Sequence, residues 1–163
     1  MKKENILKIF LVFFIGSFLI GTTLEFLPEN AFAEDSQNGT LLIKDEITNE
    51  TTNVSYEAQG KCYNVIDGDT ILVAGIGKVR LVGIDAPEKY QIGYSEAKNF
   101  VEKECLGKTV YLDIDDKRNQ DKYGRTLAIV YTEDKNINKA LLQKNLAKIM
   151  YIPPSEFVKG FET

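Results

Sequence analysis

Between residues 61 and 132 the hydrophobic and polar positions form five short runs, separated by turns that contain Gly and Asp. The runs are KCYNVI (61–66), TILVAG (70–75), KVRLVGI (78–84), KTVYLDI (108–114) and RTLAIVYT (125–132). Their length and their content of Val, Ile, Leu and Tyr are typical of β-strands. Asp67-Gly68 and the glycines of VAGIGKV predict two hairpin turns, so the first three strands are expected to pair in sequence.

Two other segments have apolar residues at helical spacing. In SEAKNFVEKECLG the apolar face consists of Ala97, Phe100, Val101 and Cys105. Ser95 is the expected N-cap of this helix, and Gly107 follows its end. In NINKALLQKNLAKIM (136–150) the same spacing is shown by Ile137, Ala140, Leu141 and Leu146. Ser155 is a possible cap for a third helix, of which residues 153–163 contain only a truncated start.

Five strands with a helix after the third predict a mainly β fold. A small five-stranded Greek-key barrel of the OB type, with two flanking helices and a truncated third helix, fits this order. An open α+β sheet is the alternative. We assign this domain to residues 61–152, and the chain of 163 residues is long enough for one such core.

The N-terminal part of the chain is predicted to lie outside this domain. A positive MKKENILK, an apolar IFLVFFIGSFLIG and the small residues AFA at 31–33 are typical of a signal peptide. We expect cleavage after Ala33, secretion, no stable membrane association afterwards, and a monomer. An uncleaved membrane anchor is the alternative. Residues 34–60, with six acids and one lysine, are interpreted as a flexible acidic leader.

Composition narrows the possible chemistry. The formal net charge is −4, but residues 61–163 carry 16 Lys and Arg against 15 Asp and Glu, so the predicted domain is nearly neutral. The chain contains no histidine, which excludes Ser-His-Asp triads and zinc sites built on imidazole. Hydrolytic chemistry would depend on carboxylates, arginines and a hard metal ion. Whether Cys62 and Cys105 form a disulfide is left open by the sequence.

Four acids are placed at turns that the predicted hairpins bring together. Asp67 and Asp69 flank the first turn, while Asp85 and Glu88 close the third strand. Asp67 is explained by turn formation alone. Asp69 facing Asp85 calls for a neutralising cation with oxygen ligands, calcium most readily, and a backbone carbonyl at the corner could complete its ligands.

Two arginines accompany these acids. Arg80 lies within the third strand and Arg125 directly before the fifth. Planar, permanently charged guanidinium groups suit phosphate oxygens. Strict alternation places Arg80 and Asp85 on opposite faces of their strand, so both can reach one site only if the pairing is irregular near Gly83.

Three motifs carry a family resemblance. IDGDT (66–70), VRLVGIDAPE (79–88) and DKYGRTLAIVY (121–131), in this order and spacing, resemble the staphylococcal nuclease (thermonuclease) family. NKALLQKNLAKIMY (138–151) is similar to that family's second helix and its exit. The resemblance implies an OB-type barrel and a calcium-dependent nuclease, with endonuclease and exonuclease activity, that cleaves DNA and RNA with little base specificity and leaves 3′-phosphate ends.

The resemblance also implies roles for individual residues. Asp69 and Asp85 match the calcium-coordinating aspartates, and Ala86 matches the position whose backbone carbonyl binds the metal. Glu88 matches the proposed general base. Arg80 and Arg125 match the two catalytic arginines that bind phosphate. The substrate-contacting positions are matched by Lys122, Tyr123 and Tyr151.

Three other interpretations remain open. One is an exported structural calcium-binding domain, which explains the acids but leaves both arginines without a role. The chain could be a non-catalytic OB module that binds nucleic acid, although such modules are expected to lose the acids and arginines that this chain keeps. It could also be an inactive fragment, because the third helix is expected to run further in the family than SEFVKGFET allows.

Overall fold

The computed structural model describes residues 38–157 of the chain. Their elements, in order, are β1 (Gly39–Lys44), β2 (Thr51–Tyr56), β3 (Ala58–Asp67), β4 (Thr70–Val73), β5 (Gly77–Leu81), β6 (Ile84–Asp85), α1 (Tyr94–Cys105), β7 (Thr109–Ile114), β8 (Thr126–Tyr131), α2 (Ile137–Gln143) and β9 (Lys148–Ile149). The five strands predicted from the sequence correspond to β3, β4, β5, β7 and β8.

These five strands close into a barrel in the order β3-β4-β5-β8-β7. All neighbours are antiparallel except β5 and β8, which are parallel. Alternate residues of each strand point inward and are fully buried, as in Ile71, Val79, Leu112 and Val130. The predicted mainly β, five-stranded OB-type barrel with two helices is therefore confirmed, and the open sheet is not what forms.

The turn between β3 and β4 packs against both α1 and the segment after β6. A Cβ atom on Gly68 would lie 2.7 Å from the Cβ of Ala97 and 2.8 Å from that of Ala86, so only glycine fits there. The Asp67 side chain accepts a hydrogen bond from the backbone N–H of Asp69, which makes it a turn residue as predicted. This turn holds Asp69 at one end of the barrel.

Strand β5 ends immediately before the predicted irregularity. The chain turns at Val82 and at Gly83, whose φ is 77°, and then resumes as β6, which pairs with β9 instead of a barrel strand. The side-chain amide of the buried Asn138 in α2 donates to the carbonyl of Val82 at 2.8 Å and so anchors the turn. The predicted irregular pairing near Gly83 is therefore confirmed. The barrel pairing of this segment stops where β5 ends at Leu81, and it is not resumed after the turn.

Both helices form, with ends that differ from the prediction. Ser95 is not the N-cap: α1 starts at Tyr94, its N-cap is Gly93, two residues before Ser95, and no side chain caps it. The second helix ends at Gln143 and not near residue 150, because Asn145 takes a left-handed conformation with a φ of 57°. The following residues are then free to form β9 beside β6.

Residues 39–56, assigned from the sequence to a flexible leader, instead form the β1–β2 hairpin. Ile43 is buried with Ile129 and Tyr131 of β8, and this contact supplies the hydrophobic surface that the segment lacks by itself. The turn region of the hairpin is held on α2 and the loop before it by two short ion pairs. Lys139 lies 2.7 Å from Asp45 and Lys135 lies 2.8 Å from Glu46, and we call these four residues the hairpin clamp.

The remaining N- and C-terminal predictions are only partly covered. The signal peptide and its cleavage after Ala33 lie outside the described residues, as do residues 158–163 of the possible third helix. Up to Phe157 no third helix has started, and the Ser155 hydroxyl accepts from the N–H of Phe157 in a turn. Between residues 38 and 157 no helix is both long and apolar enough to cross a membrane.

Cys62 and Cys105 are both buried free thiols.

Candidate active site

A cavity of about 250 Å³, called the barrel-end cavity below, opens beside the last residues of β5 and the first residues of β8. Its charged lining residues are Arg80, Asp85, Glu88, Arg118, Asp121 and Arg125. Four of these, namely Arg80, Asp85, Glu88 and Arg125, come from the sequence predictions. Arg80 and Asp85 reach the same cavity because β5 ends at Leu81 and the chain turns at residues 82–83 before β6. Asp69 does not line the cavity but lies directly behind it.

Arg80 joins the two predicted metal-binding acids. Its Nη2 lies 3.1 Å from the Asp69 carboxylate and 3.6 Å from that of Asp85, and its Nη1 donates to the carbonyl of Leu81 at 2.6 Å. The guanidinium is mostly buried, whereas the Asp85 side chain is 44% exposed. Two carboxylates that approach one cationic nitrogen this closely converge enough to share a single cation.

Asp69 is the electrostatically unusual member of this group. Burial, partly offset by the charge of Arg80, raises the pKa of Asp69 from 3.8 to about 6. Its carboxylate also accepts from the Thr70 hydroxyl at 3.1 Å and from the backbone N–H of Ala86 at 2.8 Å. The carboxylate is thus held rigidly, but the surrounding charges do not fully compensate for its burial.

The predicted calcium ligands fit an oxygen-binding cation in their chemistry. Asp69 and Asp85 supply carboxylate oxygens, and Ala86 is placed beside Asp69 by its N–H. Between residues 38 and 157 no three acidic or cysteine side chains form a metal cluster. Because calcium takes six to eight oxygen ligands, water and substrate oxygens would have to complete its coordination.

Glu88 lies at the exposed rim of the cavity, just after the corner at Pro87. Its backbone N–H donates to the side chain of Gln91 at 2.8 Å, which fixes the corner. Within the described part of the chain, its carboxylate forms no ion pair. A free, solvent-accessible carboxylate at the cavity rim is suited to accepting a proton from water.

Arg125 is positioned by the turn that precedes β8. The Asp121 carboxylate accepts from the Nε of Arg125 at 2.7 Å and from the backbone N–H groups of Tyr123 and Arg125. The Nη1 of Arg125 lies 3.5 Å from the Thr70 hydroxyl, which also contacts Asp69. Thr70 therefore connects the second arginine to the buried acid.

The three predicted substrate-contacting residues lie outside the cavity lining. Lys122 and Tyr123 are exposed, and the centroid of the Tyr123 ring lies 5.0 Å from the Lys122 amine and 5.5 Å from the Arg125 guanidinium. Tyr151 is 46% exposed and does not line the cavity, although its neighbours Met150 and Ile152 do. Their predicted contacts with substrate stay predictions.

Nine residues of the cavity lining were not predicted as site residues: residues 81–84 and Leu127, along the strands and their turn, and four others. Asp121 could have been found from its position four residues before Arg125, a spacing that suits a turn closed by its side chain. Met150 and Ile152 line one wall because β9 replaces the end of the predicted helix. Arg118 lies in the polar loop DDKRNQD, where nothing in the pattern distinguishes it from its neighbours.

This chain is similar both to a protein family and to individual known proteins. Residues 78–160 match the family described as Staphylococcal nuclease homologue. Thermonuclease from Staphylococcus intermedius is 37% identical over 114 residues, which span 63% of this chain and 67% of the relative. Thermonuclease from Staphylococcus hyicus is 35% identical over 104 residues, or 58% and 61% of the two chains. Endonuclease YncB from Bacillus subtilis is 31% identical over 150 residues, or 78% and 71%. The matches thus leave about a third or more of each thermonuclease uncovered.

Proposed function

Because this chain belongs to the staphylococcal nuclease family, we propose that it is a nuclease whose reaction takes place in the cavity at the end of β5. The observation that carries the proposal is the convergence of Arg80, Asp85, Glu88 and Arg125 on one cavity, with Asp69 behind it. Two guanidinium groups and a free carboxylate around one space are the groups that phosphodiester hydrolysis needs in a protein without histidine.

The two arginines would bind the scissile phosphate. Both are held by acids, Arg80 by Asp69 and Arg125 by Asp121, so their guanidinium groups are oriented before substrate arrives. As water attacks phosphorus, negative charge accumulates on the phosphate oxygens that do not leave. Guanidinium donors aimed at those oxygens stabilise this charge more than that of the bound substrate.

Glu88 would accept the proton of the attacking water. The new bond joins the water oxygen to phosphorus and the broken bond joins phosphorus to the 5′ oxygen, which takes a proton from a solvent water as it leaves. The products are a 3′-phosphate and a 5′-hydroxyl, the end chemistry that the family resemblance implies. A calcium ion bound by Asp69, Asp85 and the carbonyl of Ala86 would supply positive charge that polarises the phosphate.

The lining also supports a substrate range without strong base preference. Apart from charged groups, the cavity presents apolar side chains, including Met150 and the 55% exposed Ile152. Apolar surface accepts any base by packing, whereas base selection needs placed hydrogen-bond donors and acceptors. We therefore propose DNA and RNA as substrates. Secretion after signal cleavage and a monomeric state are proposed on the sequence alone.

The function is tested by the release of acid-soluble nucleotides from DNA and RNA, with calcium and with EGTA, by the wild-type protein and by Glu88→Ala. We expect release with calcium, none with EGTA, and a loss of about 10²-fold to 10⁴-fold in Glu88→Ala. Unchanged release in EGTA would contradict the calcium requirement. If a cooperatively folded sample binds DNA but cleaves nothing with calcium, the chain is a binding module and not an enzyme.

A further inference from the structure

The cavity is lined by three arginines, of which the sequence motifs account for two. Arg80 and Arg125 each contact a carboxylate, at 3.1 Å and 2.7 Å. Arg118 lines the same cavity and is partly buried. Among residues 38–157, its guanidinium takes part in no salt bridge and no side-chain hydrogen bond. A guanidinium that lines a cavity and has no acidic partner among these residues has its donors available for an anion from outside the chain.

The backbone at Arg118 is fixed. Its N–H donates to the carbonyl oxygen of Asp115 at 3.1 Å and lies 3.3 Å from the side chain of the same residue, which is fully buried. The next residue, Asn119, accepts a hydrogen bond from the N–H of Leu127 in β8 at 2.9 Å. The loop thus presents the Arg118 side chain from a constrained position, which reduces the entropy lost on binding.

The acids around the cavity do not neutralise Arg118. Asp121 is used by Arg125 and Asp85 contacts Arg80, while Glu88 forms no ion pair with any described residue. In the proposed function Arg80 and Arg125 both bind the scissile phosphate. The Arg118 guanidinium is therefore available for a different anion. In a polynucleotide the nearest available anion is the neighbouring phosphate.

We propose that Arg118 binds the phosphate adjacent to the scissile one, and thereby gives the enzyme a preference for polynucleotides over substrates with a single phosphodiester. This inference rests on the proposed function, which supplies the position of the scissile phosphate. The fork of the guanidinium donates two parallel hydrogen bonds to such a phosphate.

The first test is equilibrium binding without cleavage. Fluorescein-labelled oligothymidylate is titrated with protein in EGTA, and the affinity is followed by anisotropy at several NaCl concentrations. Loss of one phosphate contact in Arg118→Gln should reduce the slope of log affinity against log salt by about 0.7. Lys117→Gln is the matched control, because it removes the same charge from an exposed neighbour that does not line the cavity. Arg118→Lys should retain the slope.

The second test is the specificity of turnover with calcium. Arg118→Gln should lower kcat/KM for oligothymidylate about tenfold more than for thymidine 5′-(p-nitrophenyl phosphate), which contains a single phosphodiester. Most of the change should appear in KM, because the contact is made equally before and during the chemical step. Lys117→Gln should leave the ratio of the two kcat/KM values at the wild-type value.

Equal effects of Arg118→Gln and Lys117→Gln on the salt slope would overturn the proposal, as would equal losses of Arg118→Gln on both substrates. If the wild-type protein cleaves neither substrate with calcium, the proposed nuclease function fails, and the salt slopes still decide whether Arg118 binds phosphate. Thermal unfolding of each variant confirms that the compared samples are folded.

Discussion

The barrel-end cavity and the cavity under the N-terminal hairpin are lined by similar charged groups, but the acids of the hairpin clamp and Asp69, behind the barrel-end cavity, have pKa values shifted in opposite directions. The cavity at the hairpin, about 500 Å³, is lined by three lysines and three acids, and the one at the barrel end by three arginines and three acids. In the hairpin clamp, hydrogen bonds from Lys139 and Lys135 hold the pKa of Asp45 and that of Glu46 below their usual values. At the barrel end, burial raises the pKa of Asp69 to about 6.

This difference separates ion pairs that stabilise the fold from charges arranged for a ligand. In the clamp each cation has a short contact to its own acid, so the charged state of the acids is favoured by folding. At the barrel end, among the described residues, one guanidinium is shared by two acids, another has no partner, and Glu88 forms no ion pair. Incomplete charge compensation around a cavity is typical of a binding site, since the ligand supplies what is missing.

The largest expected contrast is between two ion pairs, Arg125–Asp121 at the barrel end and Lys139–Asp45 in the hairpin clamp. Both have a nitrogen–oxygen distance of 2.7 Å. Arg125→Gln should lower kcat/KM on DNA by about 10²-fold to 10³-fold, because it removes a donor to the charge that develops on phosphate. Lys139→Gln should leave kcat/KM unchanged. Rates of acid-soluble nucleotide release with calcium measure both. The comparison breaks down if Lys139→Gln loses activity to a similar degree.

The next contrast concerns stability in the hairpin itself. Ile43→Ala should destabilise the protein by about 2–4 kcal/mol, because this side chain is buried against β8. Leu42→Ala is the matched control: Leu42 lies on the opposite face of β1 and is 69% exposed, so its loss should change stability by less than about 0.5 kcal/mol. Urea denaturation measures both values. Equal small effects would show that the hairpin is dispensable to the fold.

The smallest contrast is the pH dependence of the clamp. The pKa of Asp45 is lowered from 3.8 in the fold, so the unfolded chain takes up the proton first as the pH falls. The stabilisation by Asp45 is complete above pH about 4 and is lost below it. We expect the wild-type protein to have a higher unfolding temperature than Asp45→Asn at pH 6, and this advantage to shrink below pH 4. A difference that stays constant with pH would contradict this assignment, and Glu50→Gln serves as the hairpin control.

The barrel could be predicted because its strands carry their own signal. Alternating apolar residues and glycine turns define each strand locally, and the two predicted hairpin turns give the β3-β4-β5 part of the barrel order. The break in β5 could be predicted for the same reason, namely that strand alternation can be read from the local sequence around Arg80 and Asp85. Strict alternation forbids the two side chains from sharing a face, so a break near Gly83 could be predicted before its form was known.

The hairpin and the end of α2 could not be predicted, because their signals depend on distant residues. TTNVSY is a short strand of mainly polar residues, TLLIK is short as well, and Ile43 is buried through its contact with β8. The helical spacing of 136–150 continues through Leu146, which packs on the core although it lies outside the helix. Arg118 needs the loop fold around Asp115 before its position beside the cavity becomes visible.

The central claim is that the acids at the barrel end bind calcium and that those of the clamp do not. The most direct measurement is the shift in unfolding temperature on addition of calcium, for the wild-type protein, Asp85→Asn and Glu46→Gln. Asp85 and Glu46 have similarly exposed side chains, 44% and 51%, so neither change should prevent folding. We predict that calcium raises the unfolding temperature of the wild-type protein and of Glu46→Gln, and has little effect on Asp85→Asn. An equal rise in Asp85→Asn, or none in the wild-type protein, would contradict the claim.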